Sequence, residues 1–119
     1  MGVFSARPDR AILAYPVVSM LRGLCANTLF GKASREQKRQ MSNELFVTPE
    51  TPPIFIFHTA DDEVVPLSHS LNYASACRKQ GVPLEMHVYR HGQHGVGLAT
   101  EMPDLASWTG ILIDWLVNL

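Results

Sequence analysis

The sequence predicts an α/β fold, in which helices cover both faces of a parallel sheet in a three-layer α/β/α arrangement. Two continuous apolar runs, residues 11–15 and 54–57, have the length and side-chain content of strands buried on both faces. A third strand-like segment, residues 84–89, alternates apolar and polar residues, which is typical of a strand near the edge of a sheet. Helical patterns follow the second and third segments, and helical crossovers join parallel strands.

The helix predicted after the second strand is amphipathic. Apolar residues recur in it at intervals of three and four, the spacing of one helix face. Arg78 and Lys79 lie where the helix dipole favours cations, and Gly81 is placed to end the helix. We expect it to pack on one side of the sheet through the apolar residues Leu67, Leu71, Ala74 and Cys77.

A terminal helix is predicted to open at Asp104 and to dock on the sheet. Its apolar residues at helical spacing are Leu105, Trp108, Leu112, Trp115 and Leu119.

Residues 20–48 are predicted to form a lid-like surface segment, because they are largely polar and contain little that could build a core. Ser34 and Gln37 have the spacing of a capping box at the start of a polar helix. Met41 and Leu45 are the few apolar positions near it. We expect such a segment to cover the rest of the fold loosely and to add little to the core.

Composition places residues 1–119 in a single domain, since 119 residues with 46% hydrophobic content build one core. A net charge of -1 without a basic cluster gives no electrostatic case for nucleic acid or for an anionic membrane. No apolar run is long enough to span a bilayer, so we expect a soluble protein, cytoplasmic if Met1 is the native start. Cys25 and Cys77 lack metal or redox spacing and are interpreted as unpaired thiols.

Polar loops follow the second and third predicted strands. Asp61 and Asp62 come after one strand, and His91 and His94 come after the other. The carboxyl ends of parallel strands meet at one sheet edge, so a carboxylate and an imidazole are expected to meet there. Such a pair can move a proton, the imidazole acting as the base and a buried carboxylate fixing its tautomer.

Simpler roles compete for each of these residues. An aspartate after a strand is commonly a turn or cap residue, and we assign Asp61 to such a structural role. A metal site at His91 and His94 lacks a third ligand, so no metal or cofactor is expected. The other three histidines have no predicted part in the chemistry. His58 is interpreted as a core histidine with its hydrogen bonds satisfied, and His69 and His87 are expected to be exposed on the surface.

Several motifs together resemble one known superfamily. They are HTADDEVVP at residues 58–66, SHSL at 68–71, GVPLEMH at 81–87 and HGQHGVGL at 91–98. This combination resembles the α/β-hydrolase superfamily, and within it the carbohydrate acetylesterase and acetylxylan-esterase-like branch related to dienelactone hydrolases. The resemblance implies that Asp62 is the triad acid and His94 the triad base, with Gln93 standing where that family usually has glycine.

Two parts of the family pattern do not occur in these residues. There is no Gly-x-Ser-x-Gly nucleophile elbow and no HGGG-type segment for an oxyanion hole. Ser19 follows a strand, but its neighbours lack the glycines that an elbow demands. The chain therefore resembles the carboxyl-terminal half of an α/β-hydrolase fold.

Two functions follow as expectations. In the first, the chain belongs to a serine esterase that deacetylates a carbohydrate or small ester, and it carries the triad aspartate and histidine but not the serine. In the second, it is a non-catalytic truncated module that acts through self-association or a partner. The expected partners are an ester or acetylated-carbohydrate substrate, and either a second copy or a missing amino-terminal half.

Overall fold

The computed structural model of the chain describes residues 4–21 and 32–118. Its elements are β1 (Ala11–Ala14), α1 (Arg35–Gln40), a 3₁₀ turn (Asn43–Leu45), β2 (Ile54–Thr59), α2 (Ser68–Lys79), β3 (Leu84–Tyr89) and α3 (Ser107–Val117). The strands form one parallel sheet in the order β1, β2, β3. The α/β class and the parallel sheet predicted from the sequence are confirmed.

The side chains of β2 divide between two cores, one on each face of the sheet. Phe55 and Phe57 pack against the α3 side, where Trp108 stacks on Phe57 with ring centroids 4.7 Å apart. Ile54 and Ile56 point the other way and pack with Cys77 of α2. All four β2 side chains are essentially inaccessible to water, and burying each stabilises the fold by about 1.5–3 kcal/mol. β2 is therefore the central strand of the fold and is buried on both faces.

β1 is less buried than its sequence predicts. Its residues are only partly buried, and Ile12 is 44% exposed. β1 pairs with β2 along one edge, and no other described strand lies on its second edge. The apolar run thus has the character of an inner strand, but in the described chain it occupies a sheet edge.

The buried face of α2 differs from the prediction at two positions. Cys77 is fully buried as expected, but Leu71 is 51% exposed and His69 is only 2% exposed. The expectation of an exposed His69 is wrong, because its Nδ1 accepts hydrogen bonds from the backbone N–H groups of Val18 at 3.1 Å and Ser19 at 3.2 Å. Burial lowers the pKa of His69, which favours the neutral ring that these two donors require.

Two smaller differences concern the other elements. His87, expected to be exposed, is half-buried, because its Nε2 is paired with Glu85 Oε1 at 2.7 Å and its ring stacks on Phe55. The last helix begins at Ser107, because Asp104 lies in the turns that precede it. The predicted contact of Leu119 lies outside the described residues.

The segment of residues 20–48 is held at both ends. The N–H of Met20 donates to Ser42 Oγ at 2.9 Å, and the N–H of Asn43 donates to the carbonyl of Val18 at 3.0 Å. The predicted capping box at Ser34 is confirmed at the start of α1. Residues 22–31 lie outside the described part of the chain, so the lid-like role of the segment stays a prediction.

The cysteine on α2 belongs to the core. Cys77 is a free thiol with no accessible surface, and burial raises its pKa, so it is an unreactive core residue. Cys25 lies outside the described residues.

No helix within residues 4–21 and 32–118 combines the length and the apolar character that crossing a bilayer requires.

Gly92 is the position in the loop after β3 where a side chain does not fit. A Cβ built there would lie 2.7 Å from Cγ2 of Thr59 and 2.8 Å from Cδ1 of Leu105. We expect Gly92→Ala to lower the free energy of unfolding by about 1–3 kcal/mol through overpacking, measured by urea denaturation.

The matched control is Gly110→Ala on α3, where an added Cβ meets no atom within 4 Å. There the change should raise the free energy of unfolding by about 0.5–1 kcal/mol, because alanine favours a helix. An unchanged urea midpoint for Gly92→Ala would contradict the close approach of this loop to β2.

Candidate active site

The loops that follow β2 and β3 meet at one edge of the sheet. Because β2 and β3 are paired and parallel, their carboxyl ends lie side by side. Asp62 is on the first loop and His94 on the second, and His94 Nδ1 lies 2.8 Å from Asp62 Oδ2. The two residues that the sequence predicts as acid and base are thus in hydrogen-bond contact.

Asp62 is a carboxylate without solvent access, and N–H groups satisfy it. Its side chain is 0% exposed. Oδ1 accepts from the backbone N–H of Val64 at 2.9 Å and of Val65 at 2.8 Å, while Oδ2 faces His94. Burial alone would raise the pKa of Asp62, but the hydrogen bonds from Val65, His94 and Val64 outweigh it and lower that pKa. Asp62 is therefore ionised at neutral pH.

The partner of Asp62 fixes the tautomer of His94. An ionised carboxylate only accepts hydrogen bonds, so Nδ1 of His94 carries the proton and Nε2 has a free lone pair in the neutral ring. No group among residues 4–21 and 32–118 hydrogen-bonds to Nε2. The side chain is 28% exposed, so this nitrogen can take a proton from a group that approaches it.

Tyr15 packs against the ring of His94, a contact that the sequence interpretation missed. The Tyr15 ring meets the His94 ring edge-on, with centroids 4.8 Å apart, and the N–H of Gly97 donates to the Tyr15 hydroxyl at 3.3 Å. Its φ of +40° is unusual for a residue other than glycine and indicates local strain. The one signal in the sequence is Pro16, which ends β1 there.

A second aspartate–histidine pair lies beside the first on the surface. Asp61 Oδ2 is 2.8 Å from His91 Nδ1, and Asp61 Oδ1 accepts the N–H of Gly92 at 2.9 Å. These hydrogen bonds, that of His91 foremost, lower the pKa of Asp61. Asp61 thereby ties the loop after β2 to the loop after β3, which agrees with the structural role predicted for it.

His58 at the end of β2 is completely buried, as predicted for a core histidine. Its Nδ1 is 2.6 Å from Ser70 Oγ, and its Nε2 is 2.8 Å from the carbonyl oxygen of Val65. The same Nε2 lies 3.4 Å from Asp62 Oδ2. The histidine therefore has satisfied hydrogen bonds, and it also borders the Asp62 carboxylate.

A cleft of about 310 Å³ opens beside His94 and is lined by Asp61, Glu63, Val64, Gly92, Gln93 and His94. A larger cavity of about 450 Å³ lies between α2 and the 3₁₀ turn and contains none of these residues. We assign the smaller cleft to the site, because it alone of the two is lined by the acid–base loops.

Neither a metal cluster nor a serine partner accompanies the pair in the described residues. Residues 4–21 and 32–118 contain no group of three or more His, Cys, Asp or Glu residues placed to hold a metal ion. Ser19 is buried, and its Oγ accepts the N–H of Leu21 at 3.3 Å. No serine hydroxyl in this part of the chain hydrogen-bonds to His94.

The chain resembles known proteins over nearly all of its length. Residues 10–118 match the model of the prolyl oligopeptidase family. The chain is 36% identical over 110 residues to endo-1,4-beta-xylanase B of Butyrivibrio fibrisolvens, a match that covers 89% of this chain and 17% of that protein. It is 32% identical to an acetylxylan esterase of Xylanibacter ruminicola, covering 91% of this chain and 26% of that protein.

Solved structures show the same relationship in three dimensions. An acetyl ester-xyloside bifunctional hydrolase from Caldicellulosiruptor lactoaceticus superposes with a TM-score of 0.89 at 36% identity, over 94% of this chain and 43% of that one. A carboxylesterase from Lactobacillus plantarum superposes with a TM-score of 0.77 at 29% identity, over 96% of this chain and 46% of that one. The chain spans less than half the length of these relatives. With the family match over residues 10–118, these likenesses confirm the predicted superfamily: the chain belongs to the prolyl oligopeptidase family of α/β-hydrolases.

Proposed function

We propose that this chain supplies the acid and the base of a serine esterase that deacetylates a carbohydrate or a similar small ester. Asp62 is the acid and His94 is the base. The observation that carries the proposal is the 2.8 Å contact between a fully buried, ionised carboxylate and Nδ1 of a partly exposed imidazole that lines a cleft. Relatives named as an acetylxylan esterase and a carboxylesterase support the ester substrate.

The proposed chemistry follows from the tautomer of His94. Nε2 takes the proton from a serine hydroxyl as the serine oxygen attacks the ester carbonyl. The resulting imidazolium is stabilised by Asp62 and returns the proton to the leaving alcohol as the acyl–enzyme forms. In the second half, His94 takes a proton from a water molecule as the water oxygen attacks the acyl carbonyl, and it returns that proton to the serine oxygen as the bond to the acyl group breaks and the acid leaves.

The serine, in this proposal, belongs to a segment other than these 119 residues. The sequence contains no nucleophile elbow, and no serine hydroxyl in the described residues contacts His94. β1 offers an edge on which further strands could pair, and the partly exposed Ile12 lies there. The chain covers only 43% of the hydrolase with which it superposes at a TM-score of 0.89. Pairing with a further part of such a domain accounts for these observations together.

Labelling with a fluorophosphonate, followed by intact mass, tests where the serine lies. We expect no adduct on the 119-residue chain, because His94 has no serine to activate. A single adduct that disappears in His94→Ala would contradict this, and mapping it would identify a serine within the chain.

A chimera tests the roles of the acid and the base. Residues 10–118 would replace the matching part of the Caldicellulosiruptor lactoaceticus hydrolase, and hydrolysis of p-nitrophenyl acetate would be measured. We expect Asp62→Asn to lower kcat by about 10⁴-fold, because it leaves His94 in the wrong tautomer. His94→Ala should lose at least as much, since it removes the base.

Asp104→Asn is the matched control in the chimera, because it makes the same change at an exposed aspartate that does not line the cleft. Its loss of kcat should be much smaller than that of Asp62→Asn. Equal losses in a folded chimera would contradict the assignment of Asp62. Full activity of either the Asp62→Asn or the His94→Ala chimera would overturn the proposed function.

The ionisation of Asp62 predicts a pH dependence of stability. Because folding lowers its pKa below the ordinary value of 3.8, ionised Asp62 stabilises the fold above that pH. This contribution is lost as the pH falls from 3.8 through the lower pKa of the folded state. The 119-residue chain should therefore be more stable than its Asp62→Asn variant at pH 7, with the difference shrinking below pH 3.8, as measured by urea denaturation at each pH. A difference that does not change with pH would contradict this.

A further inference from the structure

Beyond the two proposed catalytic residues, the loop that carries Asp62 is anchored to the strand by a histidine. His58 is the fifth residue of β2 and precedes Asp62 by four positions, so it lies at the base of the loop. It is one of the few polar side chains with no accessible surface. A histidine used only to fill space would bring a polar ring into the core at a cost, so its contacts need an explanation.

The contacts of His58 fix which of its nitrogens carries the proton. A backbone carbonyl only accepts hydrogen bonds, so the 2.8 Å contact with the Val65 oxygen requires a proton on Nε2. In the neutral ring Nδ1 is then an acceptor, and the hydroxyl of Ser70 donates to it at 2.6 Å. The N–H edge of the ring therefore faces the loop, and its lone pair faces α2.

This N–H edge meets the Asp62 loop at two points. The Nε2–H of His58 donates its main hydrogen bond to the carbonyl of Val65. The backbone N–H of Val65 in turn donates to Asp62 Oδ1 at 2.8 Å. Val65 is thus held by His58 on one side and holds Asp62 on the other. In addition, Nε2 of His58 lies 3.4 Å from Asp62 Oδ2, the oxygen that accepts from His94. The favourable electrostatic contact orients that oxygen without replacing His94.

From this geometry we propose that His58 is a positioning residue for the acid–base pair: its Nε2–H anchors the Val65 peptide and faces Asp62 Oδ2, so that the carboxylate is held in place for His94. His58 acts through Asp62 and touches no substrate. The inference rests on the proposed function for the catalytic meaning of the pair, but the arrangement of the three side chains can be tested without activity.

The first test needs no substitution. A two-bond ¹H–¹⁵N spectrum of the 119-residue chain reports which nitrogen of each histidine is protonated. We expect the spectrum to show a proton on Nε2 of His58, which donates to the Val65 carbonyl. A proton on Nδ1 of His58 with none on Nε2 would overturn the inference directly.

The second test uses two amides that replace one or the other ring nitrogen. In His58→Gln the side-chain NH₂ can reach the position of Nε2, whereas in His58→Asn it reaches only that of Nδ1. The readout is the downfield proton resonance of the His94 Nδ1–H to Asp62 hydrogen bond, with Asp62→Asn as the reference for its loss. We expect His58→Gln to keep this resonance and His58→Asn to lose it or shift it toward the Asp62→Asn spectrum.

Each result separates the positioning role from a structural one. If His58→Asn folds and keeps the resonance unchanged, or if His58→Gln loses it as fully as Asp62→Asn does, the inference is wrong. If both variants fail to fold, the tautomer of His58 in the unaltered chain still tests the inference. In the chimera, His58→Asn should lower kcat by up to about 10²-fold through misplacement of the pair, and His58→Gln should restore most of it.

Failure of this inference and failure of the proposed function have different signatures. An inactive chimera with the expected tautomer and resonances would leave the positioning role standing and reject the esterase role. An active chimera that depends on Asp62 and His94, but not on His58, would reject only the positioning role.

Discussion

A carboxylate buried in a protein must be surrounded by N–H groups, and the local structure of the site follows from this requirement. Asp62 has no accessible side-chain surface, and its two oxygens accept from two backbone N–H groups and one imidazole. The two backbone donors, on Val64 and Val65, exist only because the chain turns sharply after β2. The third donor, His94, reaches Asp62 only because the loop after β3 lies close to the loop after β2. The charge thus specifies the conformation of both loops.

The same requirement explains why two parallel strands suffice to build this part of the site. Strand pairing places the loop starts side by side, and short contacts such as Asp61 with His91 complete the alignment. The glycine at position 92 admits the close approach of Thr59 and Leu105, which a larger residue would prevent. Strand register, loop packing and hydrogen bonds to charge therefore act together, and no one of them would align the pair alone.

Most of the sheet could be predicted from the sequence because strands depend on local patterns, and the choice of Asp62 and His94 as acid and base rested on the resemblance of their motifs to a known superfamily. The apolar run in β2 has few alternative interpretations, whereas the polar residues of the loops after β2 and β3 had simpler competing roles as turn or cap residues. Two of the wrong expectations, on the faces of α2, concern how that helix packs against other parts of the chain. The burial of His69 depends on backbone donors about fifty residues away, and Leu71 is exposed because no described element covers that part of α2. The strained Tyr15 was missed because hydrophobic periodicity carries no information on φ.

The hydrogen bonds that join residues 18–20 to residues 42–43 have a consequence for how the length of the segment between them can change. Hydrogen bonds from Met20 to Ser42 and from Asn43 to Val18 join the two ends of this stretch beside the sheet. The free energy of closing such a stretch changes by only about 0.6 kcal/mol when its length doubles. We therefore expect the length of the chain between Met20 and Ser42 to have only a small effect on the free energy of unfolding. This segment can therefore change in length at little cost in stability, whereas the loops that carry Asp62 and His94 are constrained by the hydrogen bonds to the Asp62 carboxylate.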